Sequence, residues 1–200
     1  MTHRFAAGFC CLLIGAALTA AAAPANKFVT EFQCPSDLGK GVKSKRAFCD
    51  ITASTDPAKG ASLRIPPHAG PSTLRFDLHN RFAVAGKTLP FARASALVAV
   101  LNANSGAVID RAAVVSELHA ELDLFDRIIG TGPGGTKTIA PGRPQPATVT
   151  IPASVSAISI AGLRVELTTK AGSEVFSSPG RPVAIISNLR LEYRPATVGK

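Results

Sequence analysis

In the stretch TLRFDLHNRF, residues 73 to 82, every second position from Arg75 onward carries a charge or an imidazole: Arg75, Asp77, His79 and Arg81. Successive side chains of an extended segment alternate between faces, so Leu74, Phe76 and Leu78 face one side and the polar row faces the other. Such a row could bind an acidic ligand, and Asp77 beside His79 could orient the imidazole as a general base. The chain supplies no serine in a Gly-x-Ser-x-Gly elbow and no reactive cysteine for that base to activate. The competing expectation is a solvated strand face on which opposite charges stabilise one another modestly.

A second row, Glu117, His119, Glu121 and Asp123, offers carboxylates and an imidazole to a divalent metal. Alternate strand positions sit about 7 Å apart and diverge, so two further segments would have to supply ligands. None is identifiable, and no metal is expected. Glu121, Asp123, Asp126 and Glu166 are candidates for the paired acids of glycoside hydrolysis, whose separation the sequence does not set. Gly130, Gly132 and Gly135 satisfy G-x-G-x-x-G, but the following Lys137 to Pro141 cannot open the helix that a pyrophosphate site needs. No cofactor is expected.

The aromatic inventory bears on sugar binding. There is no tryptophan and one tyrosine, and the ten phenylalanines mostly occupy apolar-face positions, so stacking platforms for a polysaccharide cleft are lacking. Thirteen of the 22 basic residues are arginines, whose planar forks meet carboxylates and phosphates at two points. Net charge is +9. That balance favours anionic partners, although the charges are scattered apart from Lys40, Lys43, Lys45 and Arg46. No helix-turn-helix, finger or aromatic RNA-binding signature is present, and no nucleic-acid partner is expected.

The first 25 residues set the compartment. His3 and Arg4 precede a small, apolar run that ends at Ala23-Pro24-Ala25, the layout of a cleaved secretory signal peptide. The expected organisation is a signal peptide over residues 1 to 25 and a single exported domain over 26 to 200, periplasmic or extracellular, without a later membrane span. Cleavage leaves Cys34 and Cys49, expected to form a disulfide around a short basic loop.

The elements that must position these residues are short runs separated by Gly, Pro, Asn and Asp. Expected strands are 27 to 33, 46 to 52, 61 to 65, 73 to 79, 93 to 102, 107 to 118, 136 to 140, 147 to 151, 157 to 160, 163 to 169 and 182 to 193. The spacing predicts an all-β, antiparallel β-sandwich. The NANSG stretch at 102 to 106 reads as a hairpin turn. Two segments, SLRIPPHAGPSTLRFDL and TVTIPASVSAISIAGL, repeat one design of strand, Ile-Pro stop, short loop and strand. Beyond Leu118 the alternation gives way to a short helix or irregular turn up to Ile129, and residues 130 to 146 read as a long loop holding one brief strand.

The closing IISNLRLEYRP, residues 185 to 195, leads an apolar run through a Ser-Asn step into a final alternating strand. In this it resembles the last strand of jelly-roll, galactose-binding-like domains and carbohydrate-binding modules. The resemblance implies a jelly-roll-like, non-catalytic sandwich that binds glycan through its loops or a concave face. Lacking Trp and Tyr platforms, the chain is left with polar and arginine contacts. Arg75, Arg81 and Arg143 are the arginines expected to meet an anionic glycan or another envelope component, with Asp77 and His79 completing the strand row. The alternatives are an assembly domain of an envelope complex without a small ligand, and a small secreted hydrolase using carboxylates between Glu117 and Asp126.

Overall fold

The computed structural model describes residues 25–84, 91–129 and 138–196. The expected signal peptide, apart from Ala25, lies outside these residues, as do Gly130, Gly132 and Gly135. In chain order the strands begin with β1 (Lys27–Val29), β2 (Asp37–Lys40), β3 (Ala47–Thr52), β4 (Ala61–Arg64), β5 (Ser72–His79), β6 (Arg81–Val84) and β7 (Ala92–Asn102). They continue with β8 (Val108–Leu118), β9 (Ile128–Ile129), β10 (Thr138–Pro141), β11 (Gln145–Ile151), β12 (Ala157–Thr169), β13 (Gly172–Phe176) and β14 (Pro182–Tyr193). Single 3-10 turns occur at Pro57–Lys59 and Glu121–Asp123.

The protein is an all-β antiparallel sandwich. One sheet has the order β11-β5-β14-β3-β2, with β1 paired to the end of β14; the other has the order β13-β12-β7-β8, with β4 beside β12. Between them lies an apolar core to which Leu74, Phe76 and Leu78 of β5, Ala96, Val98 and Val100 of β7, Ile158 and Ile160 of β12, and Leu189 and Leu191 of β14 contribute. Alternation on β5 and β7 produces this: the inward positions Leu74, Phe76 and Leu78, and Ala92 through Val100 at every second residue, are apolar and buried, with the polar Ser72 at the start of β5 buried beside them. Both Ile-Pro segments cross between the sheets, β4 to β5 and β11 to β12, and the prolines mark the crossing because they cannot continue a ladder.

A third, small sheet of order β6-β10-β9 bridges the two. Phe82 of β6 packs on Ala92, Ala94 and Leu118 of the second sheet. Ile128 and Ile139 pack with Phe48 and Ile185 of the first. By alternation Phe48 and Ile185 belong to the face of the first sheet turned away from the sandwich core. That outer face is therefore covered at the His79 end of β5 and open at the Ser72 end.

The Cys34–Cys49 disulfide is formed, with Cα atoms 5.8 Å apart. The 102 to 106 turn closes the β7–β8 hairpin, with the Gly106 N–H on the Asn102 carbonyl. Two expected strands, 157 to 160 and 163 to 169, are one continuous β12, bulged between Gly162 and Arg164. Gly162 is not a break but a close approach: a Cβ there would lie 2.8 Å from the Thr52 carbonyl oxygen and from Val183. The strand expected over 27 to 33 ends at Val29, and β2, β6, β9 and β13 carry no alternation that marks them in advance.

Candidate functional site

The polar row of β5 is divided by the cover. His79 is fully buried, not solvated. Its Nδ1 lies 2.8 Å from the Gly142 carbonyl oxygen, which can only accept, so Nδ1 carries the proton and Nε2 accepts from the Ser187 hydroxyl at 2.9 Å. Burial lowers the His79 pKa below its usual value, against the opposing pull of the Gly142 carbonyl and of Asp77. The Phe48 and Phe125 rings close around the imidazole, at centroid distances of 5.6 and 5.4 Å. The Asp77–His79 pairing that the row could have offered does not form; a backbone carbonyl holds the imidazole instead. Ser187, a hydroxyl against an imidazole that the sequence did not single out, is equally buried, so the bond between them links β14 through His79 to the Gly142 segment of the cover.

Arg81 lies beyond the strand row, on β6, where its Nε donates to the Asp50 carboxylate at 3.1 Å. Burial raises the Asp50 pKa, with Arg81 opposing. Asp126 is buried under the 41 to 46 turn and accepts from the backbone N–H groups of Lys43, Ser44 and Arg127 at 2.7 to 2.9 Å. Burial pushes its pKa up, but Ser44 and these amides outweigh it and hold the carboxyl below the usual range. A Cβ on Gly41 would collide with Asp126 and Phe48, so glycine permits this docking. The short basic loop is thus in part an anchor, tied to Asp126 through the amides of Lys43 and Ser44.

The other expected acids are locally engaged. Glu117 contacts His119 at 3.0 Å and Arg93 at 3.7 Å, and Glu121 meets Arg127 at 3.0 Å. Asp123 accepts the His119 and Ala120 amides, which lower its pKa. Among the described residues no three His, Cys, Asp or Glu side chains converge. Arg143 stands apart from the β5 row, 3.7 Å from Asp123.

At the open end the arrangement changes. Arg75 is the Cα partner of Arg190 on β14 and of Thr148 on β11. Both arginines are exposed, and neither is in a salt bridge among the described residues. Directly opposed residues of an antiparallel pair have Cβ atoms about 5 Å apart, so the two arginine side chains leave the sheet side by side. A bulge puts them there. Ser187 opposes Asp77 and Arg190 opposes Arg75, leaving one extra residue on β14. Asn188 takes it up with φ 52°, a left-handed conformation that asparagine tolerates better than most residues. The bulge reverses the alternation, so Ser187 and Arg190 both face outward while Leu189 and Leu191 face the core.

Asp77 forms the border between the ends, held by Arg46 at 2.8 Å and near the Asn188 amide at 3.4 Å. Arg46 in turn lies over the Phe125 ring, 5.1 Å from its centroid. Past the arginine pair, Phe28 of β1 opposes Glu192 and is 59% exposed. It is an exception to the mostly inward placement expected of the phenylalanines. Arg190 and Phe28 were missed, and Arg46 was grouped with the basic loop rather than with Asp77, because cross-strand neighbours depend on pairing that the sequence does not display; for Arg190 the Ser-Asn step was the one signal. A broad cavity of about 600 Å³ between Phe32 and Arg64 has none of the buried, partnerless polar atoms on its wall. No family model matches this chain, and no curated protein matches it.

Proposed function

We propose that the protein is an exported, non-enzymatic β-sandwich, jelly-roll-like in its role, that binds an anionic glycan of the cell envelope or its surroundings on the open face of its first sheet. The observation that carries this reading is the direct opposition of Arg75 and Arg190. Like charges placed opposite each other destabilise a sheet, and two adjacent guanidinium forks suit carboxylate or sulfate groups along a polymer. Thr148 adds a hydroxyl beside them, and Phe28 at the margin offers one ring face to a sugar. Export rests on the layout of the first 25 residues and accords with the Cys34–Cys49 disulfide. The engagement of Glu121, Asp123 and Asp126 in local bonds favours binding over hydrolysis.

The test is binding of the chain without residues 1–25 to uronic-acid and neutral oligosaccharides at low and physiological salt. Acidic glycans are expected to bind more tightly, to weaken with salt, and to lose about tenfold in affinity on Arg75→Ala or Arg190→Ala. Equal binding of the neutral set, or indifference to salt, refutes the reading.

A further inference from the structure

We propose that the free edge of β8 pairs with the same edge of a second copy of this chain, joining two sandwiches through one continuous antiparallel sheet. β8 is bonded to β7 on one side, and no strand among the described residues lies on the other. An open edge presents unpaired N–H and C=O groups, which proteins normally blunt by shortness, proline, charge or cover. The other edges here are blunted. β2 and β13 have four and five residues, and β11 carries Pro146. β4 is capped where Ser62 and Gln33 exchange both backbone bonds. β8 runs for eleven residues without proline, and a cleft of about 390 Å³ between Val114–Ser116 and Pro144–Pro146 opens along it.

Charge and size identify the second copy. Arg111, Ala113, Val115 and Glu117 are all exposed and face away from the sandwich core; Val115 is 51% exposed. A two-fold axis through Val114, perpendicular to the sheet, sets Arg111 opposite the partner's Glu117 and Ala113 opposite the partner's Val115, each pair occurring twice. On the inner face Val114 meets its own copy, and Ala112 meets the partner's Ser116. Moving the axis by one residue places Glu117 opposite Ile109 or Ala113 and loses both ion pairs. Arg111 forms no salt bridge among the described residues within its own chain, so its charge is available to the partner.

Sedimentation equilibrium of the chain without residues 1–25 tests this. A monomer–dimer equilibrium is expected, with dissociation constants raised roughly tenfold by Arg111→Glu or Glu117→Arg alone and restored when both swaps are combined. A wild type that stays monomeric, a dimer that both single swaps leave unchanged, or a double variant that regains nothing overturns the proposal. If a swap unfolds the protein, amide exchange of the wild type decides. Slower exchange along residues 111 to 117 at concentrations where the dimer forms supports the pairing, and unchanged exchange overturns it.

Discussion

Leu78 and His79 are consecutive on β5 and both fully buried, yet they face different interiors. Leu78 enters the core between the two large sheets, whose side chains are almost all apolar, Ser72 at its margin being the polar exception. His79 enters the layer under the small sheet, where Phe48, Ile128 and Ile185 share the space with Ser187, Asp50 and Asp126. The first interior is fixed by area removed from water, which is tolerant of detail. The second depends on each polar group finding its partner, and a lost partner leaves a buried donor or acceptor unsatisfied. One face of one sheet thus carries a covered polar layer and, two rows away, an open pair of unbalanced arginines.

The largest effect that separates the two interiors is a deletion in the first. Leu78→Ala is expected to cost about 3 kcal/mol through lost transfer energy and the cavity left behind. That loss should be the same at pH 5 and pH 7, because no titratable group faces Leu78 within the apolar core. Urea midpoints measured at both pH values check it. A loss that grows at acid pH would mean that the two interiors are mechanically one.

The first interior was legible in the sequence and the second was not, for a physical reason. Alternation along β5 and β7 reports burial on a single strand, and Leu74, Phe76 and Leu78 were placed by it. His79 occupies a position that alternation assigns to solvent. Its burial comes from Phe125 and Gly142, far along the chain, and from a small sheet whose strands β6 and β9 are too short to show a period. The bulge at Asn188 was half visible, since the Ser-Asn step is where the alternation of β14 reverses. What could not be read was that the reversal sets Arg190 against Arg75.

Acid should weaken the covered layer first. His79 is held neutral, with its folded pKa below the unfolded value near 6.5, so below that pH the unfolded chain binds a proton that the folded chain does not. Stability therefore falls as pH drops from about 6.5 toward the folded pKa, by up to about 1.4 kcal/mol per pH unit. Asp126, lowered, keeps its contribution until the pH approaches 4 or below. Asp50, raised, works the other way, since the folded chain gains its proton first on acidification. Asp77 and Arg46, paired with each other at 2.8 Å, are the charged groups that border the imidazole, and they pull its pKa in opposite directions. His79→Gln can still donate to Gly142 and accept from Ser187, and should flatten the slope between pH 7 and 5. Equal slopes for variant and wild type would remove His79 as the origin.

The smallest effect tests the open end, and its sign is the informative part. In the covered layer each charge meets a partner, so removing one leaves its partner buried and unpaired. Arg190 instead faces Arg75, and replacing it with threonine removes a like-charge contact while keeping a residue suited to a strand. Arg190→Thr should therefore raise the unfolding free energy by roughly 0.5 kcal/mol at low ionic strength. Salt should erase the gain, because a screened pair no longer repels. The same variant should bind acidic glycan more weakly than the wild type. Stability gained where binding is lost is expected of a residue kept for its ligand rather than for the fold. If Arg190→Thr destabilises the protein at low salt, the opposed pair is supported from within the chain, and the open face loses the feature that distinguishes it from the covered one.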